Sequence, residues 1–567
     1  MRFGAAAINA QADSFQREEQ AGGRIWPRSC SFTILYKGHK SHTAMIRTDI
    51  IQKLTESGFL ITQEAVATIQ ETDMPLNLVN EILKHVDESV VVIGQSHVTA
   101  AKESLNSQKK VVRSLAFLTQ TDDESADVLA TTEVGGTDEA DGHLESRRKP
   151  RPIAVLADIT ESSTCVGTYE EFVCYFRNRY DRLSEIIRKR LNSRPIESLT
   201  YWNRGREGWF DDERGTGGKI SIIGLVNETR DTPNGHRVLE LEDPTGYFNG
   251  IALKNKGAYD AALQVVLDEV VGITGSLSSD GKVLFIDSIT WPDIPPQHQP
   301  AHAENDVHVA LTSDIHIGSK TFLASAWKDF TEWVAASEDE RAQKIAYVIV
   351  AGDVVDGIGV FPNQEDELAI DDIDDQYAAA ASLFEMLPSN ISIIIAPGNH
   401  DAVRQAEPQP ALSSDYAKSF SNNVTCIGNP SLIELCGVKI LIYHGRALDD
   451  IIAAIPGCSY GNPDGAMREM LKRRHLSPVY GNRVSIAPES TDHFVIESIP
   501  DILHCGHVHT TGASRYRGVT VVNSGAWQGQ TKYQRSQNIN PRPGIMPVCN
   551  LGSMETTFVD FLAHNGH

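Results

Sequence analysis

The chain carries eight cysteines, and none of them forms a CxxC pair: Cys30, Cys165, Cys174, Cys426, Cys436, Cys458, Cys505 and Cys549 lie far apart. That spacing gives a cysteine zinc site nothing to build on and a disulfide framework no support. The thiols inside apolar runs therefore read as core residues of a reducing compartment. Long hydrophobic runs are missing too. None approaches the roughly 18 residues that cross a bilayer. The opening MRFGAAAINAQADSF has only a weak apolar patch, with no small-residue cleavage pattern after it. It reads as a disordered start or an overextended gene start, and the protein as cytoplasmic with no membrane partner. Positive charge is also scarce, with 51 Lys and Arg against 75 Asp and Glu, a net charge of −24. This excludes a generally basic nucleic-acid coat. It does not exclude a nuclease, because metal ions neutralise phosphate where the protein does not.

What is present suffices to fold: 41% of the 567 residues are hydrophobic and 22% charged. At about 100–200 residues per domain the length allows roughly three or four domains. Residues 1–40 read as a disordered N-terminus, and 41–115 as a small helical domain on the spacing of TDIIQKLTESGFLITQEAVATIQ and MPLNLVNEILKHV. Residues 116–150 read as an acidic flexible linker, with too few large apolar side chains to offset the entropy of ordering. Its end, RRKPR, is either a solvated terminus or a phosphate contact. A helical connector follows over 151–217, where Arg177, Arg179, Arg182, Arg188, Lys189 and Arg190 face either solvent or DNA. Over 218–296 the period changes to two, with a turn at Pro233-Asn234-Gly235. About five short strands with Gly-rich turns suggest a small barrel of the oligonucleotide-binding type, an OB-fold, which binds single strands or docks a protein. WPDIPPQHQP then leads into the last segment, 297–567.

In that segment, strand-like apolar runs repeatedly end in metal-binding side chains. VHVALTSDIH reaches Asp314 and His316, YVIVAGDVVD reaches Asp353 and Asp356, and ISIIIAPGNHD reaches Asn399, His400 and Asp401. VKILIYHG reaches His444, and DILHCGHVH reaches His507 and His509. Helical patterns such as FLASAWKDFTEWVAAS lie between several of them. Buried strands feeding polar loops are how an α/β fold builds a site at the carboxyl ends of its strands; two facing sheets are the other arrangement. DxH or GDxxD alone is a common surface-loop pattern. GNHD is sharper, because Gly398 allows a tight turn beside an amide, an imidazole and a carboxylate. GHxH sends two imidazoles to one side of an extended backbone. The whole ordered set is not accidental. Its mixture of carboxylate, amide oxygen and imidazole suits Mn²⁺, Zn²⁺ or Fe²⁺ better than an all-oxygen Mg²⁺ site. Two such ions about 3.5–4 Å apart clamp a phosphate and supply a nucleophile at neutral pH. This is phosphoester chemistry.

Together these motifs resemble the ordered motifs of the calcineurin-like metallophosphoesterases, including nucleases of double-strand-break repair. The resemblance implies a β-sandwich flanked by helices, preceded here by the OB-fold barrel and the small helical domain. It implies that Asp314, His316 and His509 hold one ion, that Asn399, His444 and His507 hold the other, and that Asp353 bridges them. His400 would be the catalytic acid that protonates the leaving oxygen, with Asp356 orienting a ligand or water or making a loop contact. A longer set of segments is similar to the small subunits of archaeal family D DNA polymerases. It includes YEEFVCYFRNRYDRLSEIIRKR, PGNHDAVRQAEPQP and GAWQGQTKYQ, and it covers about residue 150 to the C-terminus. That similarity implies a proofreading 3′–5′ exonuclease that releases 5′-mononucleotides, uses two divalent ions, most simply Mn²⁺, and acts on DNA 3′ ends. It also implies a heterodimer with a large catalytic polymerase subunit, the barrel helping to join the two. Related subunits of eukaryotic replicative polymerases have degraded ligands and only scaffold, whereas every expected position here carries a competent residue.

Two other functions compete with that one, a small-molecule phosphodiesterase or phosphatase and a nuclease-inactive scaffold. Further residues have two readings each. Arg404 and Arg446 reach a phosphate or form surface salt bridges. Trp527 and Tyr533, flanking Gln528, Gln530 and Gln534, stack on a 3′ base or pack on the partner protein. The acidic run Glu365 to Asp375 is a solvated loop or a duplex-excluding edge, and Lys472, Arg473 and Arg474 are a solvated helix end or a DNA contact.

Overall fold

The computed structural model describes residues 151–200, 219–536 and 540–563, with short pieces between 60 and 98. The expected disordered start and acidic linker lie outside the described residues. The chain divides into two compact units, one of which is Arg28–Thr137. Within it, strand β1 (Leu60–Ile61) precedes helix α1 (Gln63–Gln70), and β1 pairs in parallel with β2 (Val92–Ile93). Ala65, Val66 and Ile69 form the buried stripe of α1.

The other unit holds the remaining described elements. It begins with a short strand, β3 (Ala154–Ala157), where the sequence pattern predicts only a helical connector. The run is short and apolar, and it finds an open sheet edge to pair with, antiparallel to a later strand at Leu432–Glu434. Helix α2 (Tyr169–Arg188) does follow. Its N-terminus is fixed by a capping box in which the Thr168 hydroxyl accepts from the Glu171 N–H and the Glu171 carboxylate accepts from the Thr168 N–H.

A closed five-stranded barrel comes next, formed by β4 (Ile220–Asp231), β5 (Arg237–Asp243), β6 (Gly246–Ala252), β7 (Val270–Leu277) and β8 (Val283–Thr290). The order is β4-β5-β6-β8-β7, with β7 returning to β4; only the β6–β8 pair is parallel. Ile222, Val226, Leu239, Leu241, Ile273 and Ile286 fill it. The β4–β5 turn sits over 232–236, where Gly235 takes φ +75°.

The rest is a two-sheet sandwich. Its elements are β9 (His308–Thr312), α3 (Ala324–Ala336), β10 (Ile345–Ala351), α4 (Ile373–Phe384), β11 (Ser392–Ala396), β12 (Val424–Cys426), β13 (Ser431–Leu435) and β14 (Val438–Ile442). They continue with α5 (Leu448–Ala454), α6 (Pro463–Arg473), β15 (Ile502–Cys505), β16 (Gly512–Tyr516), β17 (Val519–Asn523), β18 (Ile545–Asn550) and β19 (Thr556–Asp560). One sheet runs β12-β11-β10-β9-β18-β19, the other β16-β17-β15-β14-β13-β3. In the first, β9, β10 and β11 are parallel and buried throughout, which explains their continuous apolar runs. Alternate residues serve two cores. Val309, Leu311, Ile349 and Ile394 meet Ile433, Ile440 and Ile502 between the sheets. Ala310, Val348, Val350 and Ile395 pack against Trp327 and Phe330 of α3 and Tyr377 and Phe384 of α4. The outer face of the second sheet is covered by α2, α5 and α6.

Arg188, Lys189 and Arg190 are exposed, but other residues of the basic stretches are committed inside the fold, against both readings offered for Arg179 and Arg473. Arg179 is fully buried in the apolar stripe of α2. Its guanidinium bonds Asp492 at 2.8 Å, the carbonyls of Asp268 at 3.0 Å and Pro478 at 2.8 Å, and the Tyr175 hydroxyl at 3.1 Å. His475 Nε2 lies 2.8 Å from the same Asp492 oxygen. Arg473 is buried against Glu269 of the barrel at 2.7 Å, and Arg474 donates to the carbonyls of Ile496 and Glu497, both at 2.6 Å. Lys472 sits over the Trp291 ring, 4.1 Å from its centroid. Each basic side chain reaches a buried acceptor that a window of sequence does not contain. The acidic run is likewise local chemistry, since Asp372 caps α4 and Asp374 and Asp375 occupy its first turn.

Removing Arg179 leaves a buried carboxylate charge without its cation, so Arg179→Met should cost about 3–5 kcal/mol of stability. Thermal unfolding of R179M, D492N and the double variant tests this. The double should cost less than the sum of the singles, and strict additivity would refute the coupling.

Candidate metal centre

Five strands deliver the predicted ligands at their carboxyl ends. Asp314 and His316 follow β9, Asp353 follows β10, Asn399 and His400 follow β11, His444 follows β14, and His507 and His509 follow β15, with the turn after β17 bringing in Ser524. Five of these residues hold left-handed backbones: Asp314 (φ 51°), His316 (54°), Asp353 (53°), His507 (70°) and His509 (54°). Non-glycine residues take up this region at a cost, and such strain clusters where function holds it. Here it turns successive side chains out of the strands and into one centre. Gly398 contributes differently from the tight turn expected of it: its φ is not left-handed. A Cβ there would fall 2.2 Å from Asp353 Oδ1, so the glycine makes room for the carboxylate.

The structure brings two ligand groups together, Asp314 with His316 and His509, and Asp353 with His444 and His507. The Nε2 atoms of His316 and His509 are 3.2 Å apart. Asn399 Oδ1 lies 3.1 Å from His444 Nε2, joining the second group. Asp353 Oδ2 stands between the groups, 3.8 Å from His316 Nε2 and 3.4 Å from His444 Nε2, while its Oδ1 accepts the His400 N–H at 2.9 Å. A third grouping, His316 with Asp356 and His400, adjoins them.

Two observations show that this donor set fits divalent ions. Asp314 Oδ1 is buried and has no hydrogen-bond partner among the described residues, although His509 Nε2 lies 3.4 Å away. The imidazoles also need a positive charge to share. Burial by itself lowers the affinity of His316 and His444 for a proton. The Asp356 hydrogen bond and the charges of Asp353 and Asp314 outweigh burial at His316, pushing its pKa up to about 9. Asp353 and Asp314 do the same for His444, up to about 10. Cations would replace those protons.

Around the ligands lies a layer of residues that hold them. His316 Nδ1 is 3.0 Å from Asp356 Oδ1, and Gln528 Nε2 donates to the same oxygen at 3.1 Å. Asp356 is therefore an orienting group. The His444 ring nitrogen Nδ1 donates to the Ala351 carbonyl at 2.8 Å, which directs Nε2 to the centre. Gln534 contacts His509 Nδ1 at 2.8 Å. Asp401 accepts from the Gly398 N–H at 2.8 Å and from the Tyr377 hydroxyl at 3.2 Å, tying the GNHD loop to α4; burial and the nearby Asp353 push its pKa up to about 6.

Sequence reasoning missed several of these. Asp449, 3.4 Å from His507 Nε2, also accepts from the Tyr460 hydroxyl at 2.9 Å. A chain of hydroxyls runs from His504 through Ser524 to Ser313 and on to Asp314. No motif marks Asp449; the only cue is its place in the helix that follows His444.

The structure overturns both readings of Trp527 and takes the salt-bridge reading of Arg404 in place of the phosphate one. Trp527 is buried, its ring packed on Trp327, Phe330 and Phe561 and its Nε1 donating to the Thr312 hydroxyl at 2.7 Å, so it offers no face to a base or a partner. Arg404 is spent on the Pro408 carbonyl at 2.8 Å and on Glu489 at 2.9 Å. Arg446 lies at the rim and donates to the Gln405 carbonyl at 3.0 Å. Tyr533 sits in the short helix Lys532–Ser536, and its side chain is outside the described residues.

Comparison with known proteins adds ancestry to this geometry. Residues 309–512 match the family of the B subunits of DNA polymerases alpha and epsilon. The DNA polymerase II small subunit of Archaeoglobus fulgidus is 45% identical over 70% of this chain and 79% of its own length. That of Halobacterium salinarum is 35% identical over 90% and 98%, and that of Methanothermobacter thermautotrophicus 36% over 89% and 98%. A solved archaeal phosphodiesterase aligns over 45% of this chain and 99% of its own, at 14% identity and a TM-score of 0.24. Among the described residues, no helix is long and apolar enough to cross a membrane. With its sequence matched over nearly the full length of several relatives, the chain belongs to the archaeal DNA polymerase II small-subunit family.

Proposed function

We propose that this protein is the small subunit of an archaeal family D polymerase and acts as its metal-dependent 3′–5′ proofreading exonuclease, releasing 5′-mononucleotides while bound to a large catalytic subunit. A metal-dependent phosphoesterase function follows from the family and the two ligand groups together. The observation that carries the finer reading is Asp353, placed between two complete ligand groups with its other oxygen on the His400 backbone. The barrel, with its β4-β5-β6-β8-β7 order, is read as an OB-fold that helps dock the large subunit.

In this reading Asp314, His316 and His509 hold one divalent ion and Asn399, His444 and His507 the other, with Asp353 shared and Mn²⁺ the ion that best suits the mixed donors. Two ions would supply the nucleophile and neutralise charge on the phosphoryl oxygens. His400 serves the leaving group. Its Nδ1 donates to the Asp356 carbonyl at 2.7 Å, which fixes the ring and leaves Nε2 to carry a proton to the departing 3′-oxygen. Burial lowers the pKa of His400 in the free protein, so it acquires that proton when an anionic phosphodiester lies beside it. General acid help of this kind typically contributes about 10²–10⁴-fold.

On 5′-labelled DNA with a 3′ overhang, Mn²⁺ should produce a shrinking ladder. His400→Ala should slow it by about 10²–10⁴-fold with metal content intact, whereas Asp353→Ala should lose metal as well. Equal metal loss in both would overturn this division of roles. Comparable turnover of a chromogenic phosphoester and of DNA would favour a small-molecule phosphodiesterase; no turnover with the large subunit present would favour an inactive scaffold.

Metal binding should also release protons. Because His316 and His444 keep theirs up to about pH 9 and 10 without metal, Mn²⁺ affinity should rise with pH until those values are passed. Titration calorimetry at pH 8 in buffers of different ionisation enthalpy should detect at least one proton released per protein. A buffer-independent heat would exclude these histidines as ligands.

A further inference from the structure

Directly after Asp353 and Asp356, the chain leaves β10 in a loop, GIGVFPN, that is apolar and outward-facing. Ile358 is 49% exposed and Phe361 36% exposed. Scattered surface apolar residues need no explanation, but these two share one short loop beside the ligand centre. The loop is held in shape. The Gly357 N–H donates to Gln376 Oε1 at 2.9 Å, the Val360 N–H to Gln364 Oε1 at 2.9 Å, and Gln364 Nε2 to the Asp356 carbonyl at 2.8 Å. Both glutamines are fully buried. The apolar face is therefore presented by a built scaffold, which lowers the entropy lost on binding. The Phe361 ring lies 6.4 Å from the His400 ring, centroid to centroid, edge to face.

We propose that this loop receives the nucleobase at the DNA 3′ end, with the Phe361 ring as its stacking surface. The inference rests on the exonuclease reading above. The loop contains no Lys, Arg or His of its own to hold a phosphate. A nucleobase is the neutral, flat part of a nucleotide. Each base flanking the scissile phosphate stands one sugar away from it, so a ring beside His400 is within reach of the terminal base when His400 serves the scissile phosphodiester. Stacking of a base on an aromatic ring tolerates every base, as removal of a mispaired terminus of any sequence requires.

The test uses the full chain in Mn²⁺ and two single strands that differ only at the last nucleotide, thymidine or abasic. Wild type should have a kcat/KM about 5- to 100-fold higher on the thymidine end. Phe361→Ala should lose that advantage while cleaving the abasic strand at the wild-type rate within about twofold. Phe361→Tyr should keep it. Affinity of the His400→Ala protein for the two strands, by fluorescence anisotropy, should show the same preference and the same loss in the F361A/H400A double variant. An equal fall on both strands, or none on either, would overturn the assignment and leave the loop as a packing or protein-contact element. A wild type that degrades neither strand even with the large subunit present would overturn the exonuclease reading, and this inference with it.

Discussion

Two buried carboxylates, Asp314 and Asp353, set the terms for the rest of the sandwich. Each follows a buried, mostly apolar strand, where an unpaired negative charge is very costly. Four imidazoles and an amide gather around them, and the metal-free protein answers the charge with protons on His316 and His444. Everything near the centre then serves geometry. Left-handed backbones turn the ligands inward, and glycine at Gly398 yields the space that Asp353 occupies. Hydrogen bonds from Ala351, Asp356 and Gln534 fix the rings. The strain of five left-handed residues persists because two sheets and their helices over-determine it.

The motifs made the centre legible because ligand identity is a local property: an Asp or His at the end of a strand can be named from a run of ten residues. The alternating pattern located the barrel strands, and continuous apolar runs located the central sandwich strands. What could not be read was partnership between residues far apart in the chain. Arg179 finds Asp492, and Arg473 finds Glu269. Trp527 finds the core of α3, and Asp449 finds His507. A charged side chain inside an apolar stripe is the same letter whether it faces water, DNA or a buried acid, so a single sequence cannot choose among these for the basic residues of α2. The strand β3 was hidden for a related reason, because its only signal is the free edge of a sheet assembled from residues far downstream.

These internal commitments bear on how an acidic chain meets a polyanion. Arg179, Arg404, Arg473 and Arg474 are all engaged by carboxylates or carbonyls of the fold itself. They hold α2, the GNHD loop and the barrel against the sandwich, and cannot also neutralise a phosphate backbone without giving up those bonds. These four therefore add little to the electrostatic attraction that dominates most protein–DNA affinity. In the proposed function, two divalent ions at the ligand groups would place positive charge at the one phosphodiester to be cut, and a neutral apolar loop beside His400 would add a contact that owes nothing to charge. On that proposal the protein would engage a strand at its end rather than along its length, and rely on a partner for the rest of the duplex. That division would suit the proposed editing role: broad electrostatic grip on DNA would compete with the polymerase for the same primer, whereas a centre that holds only the terminal nucleotide would act when the end is released to it.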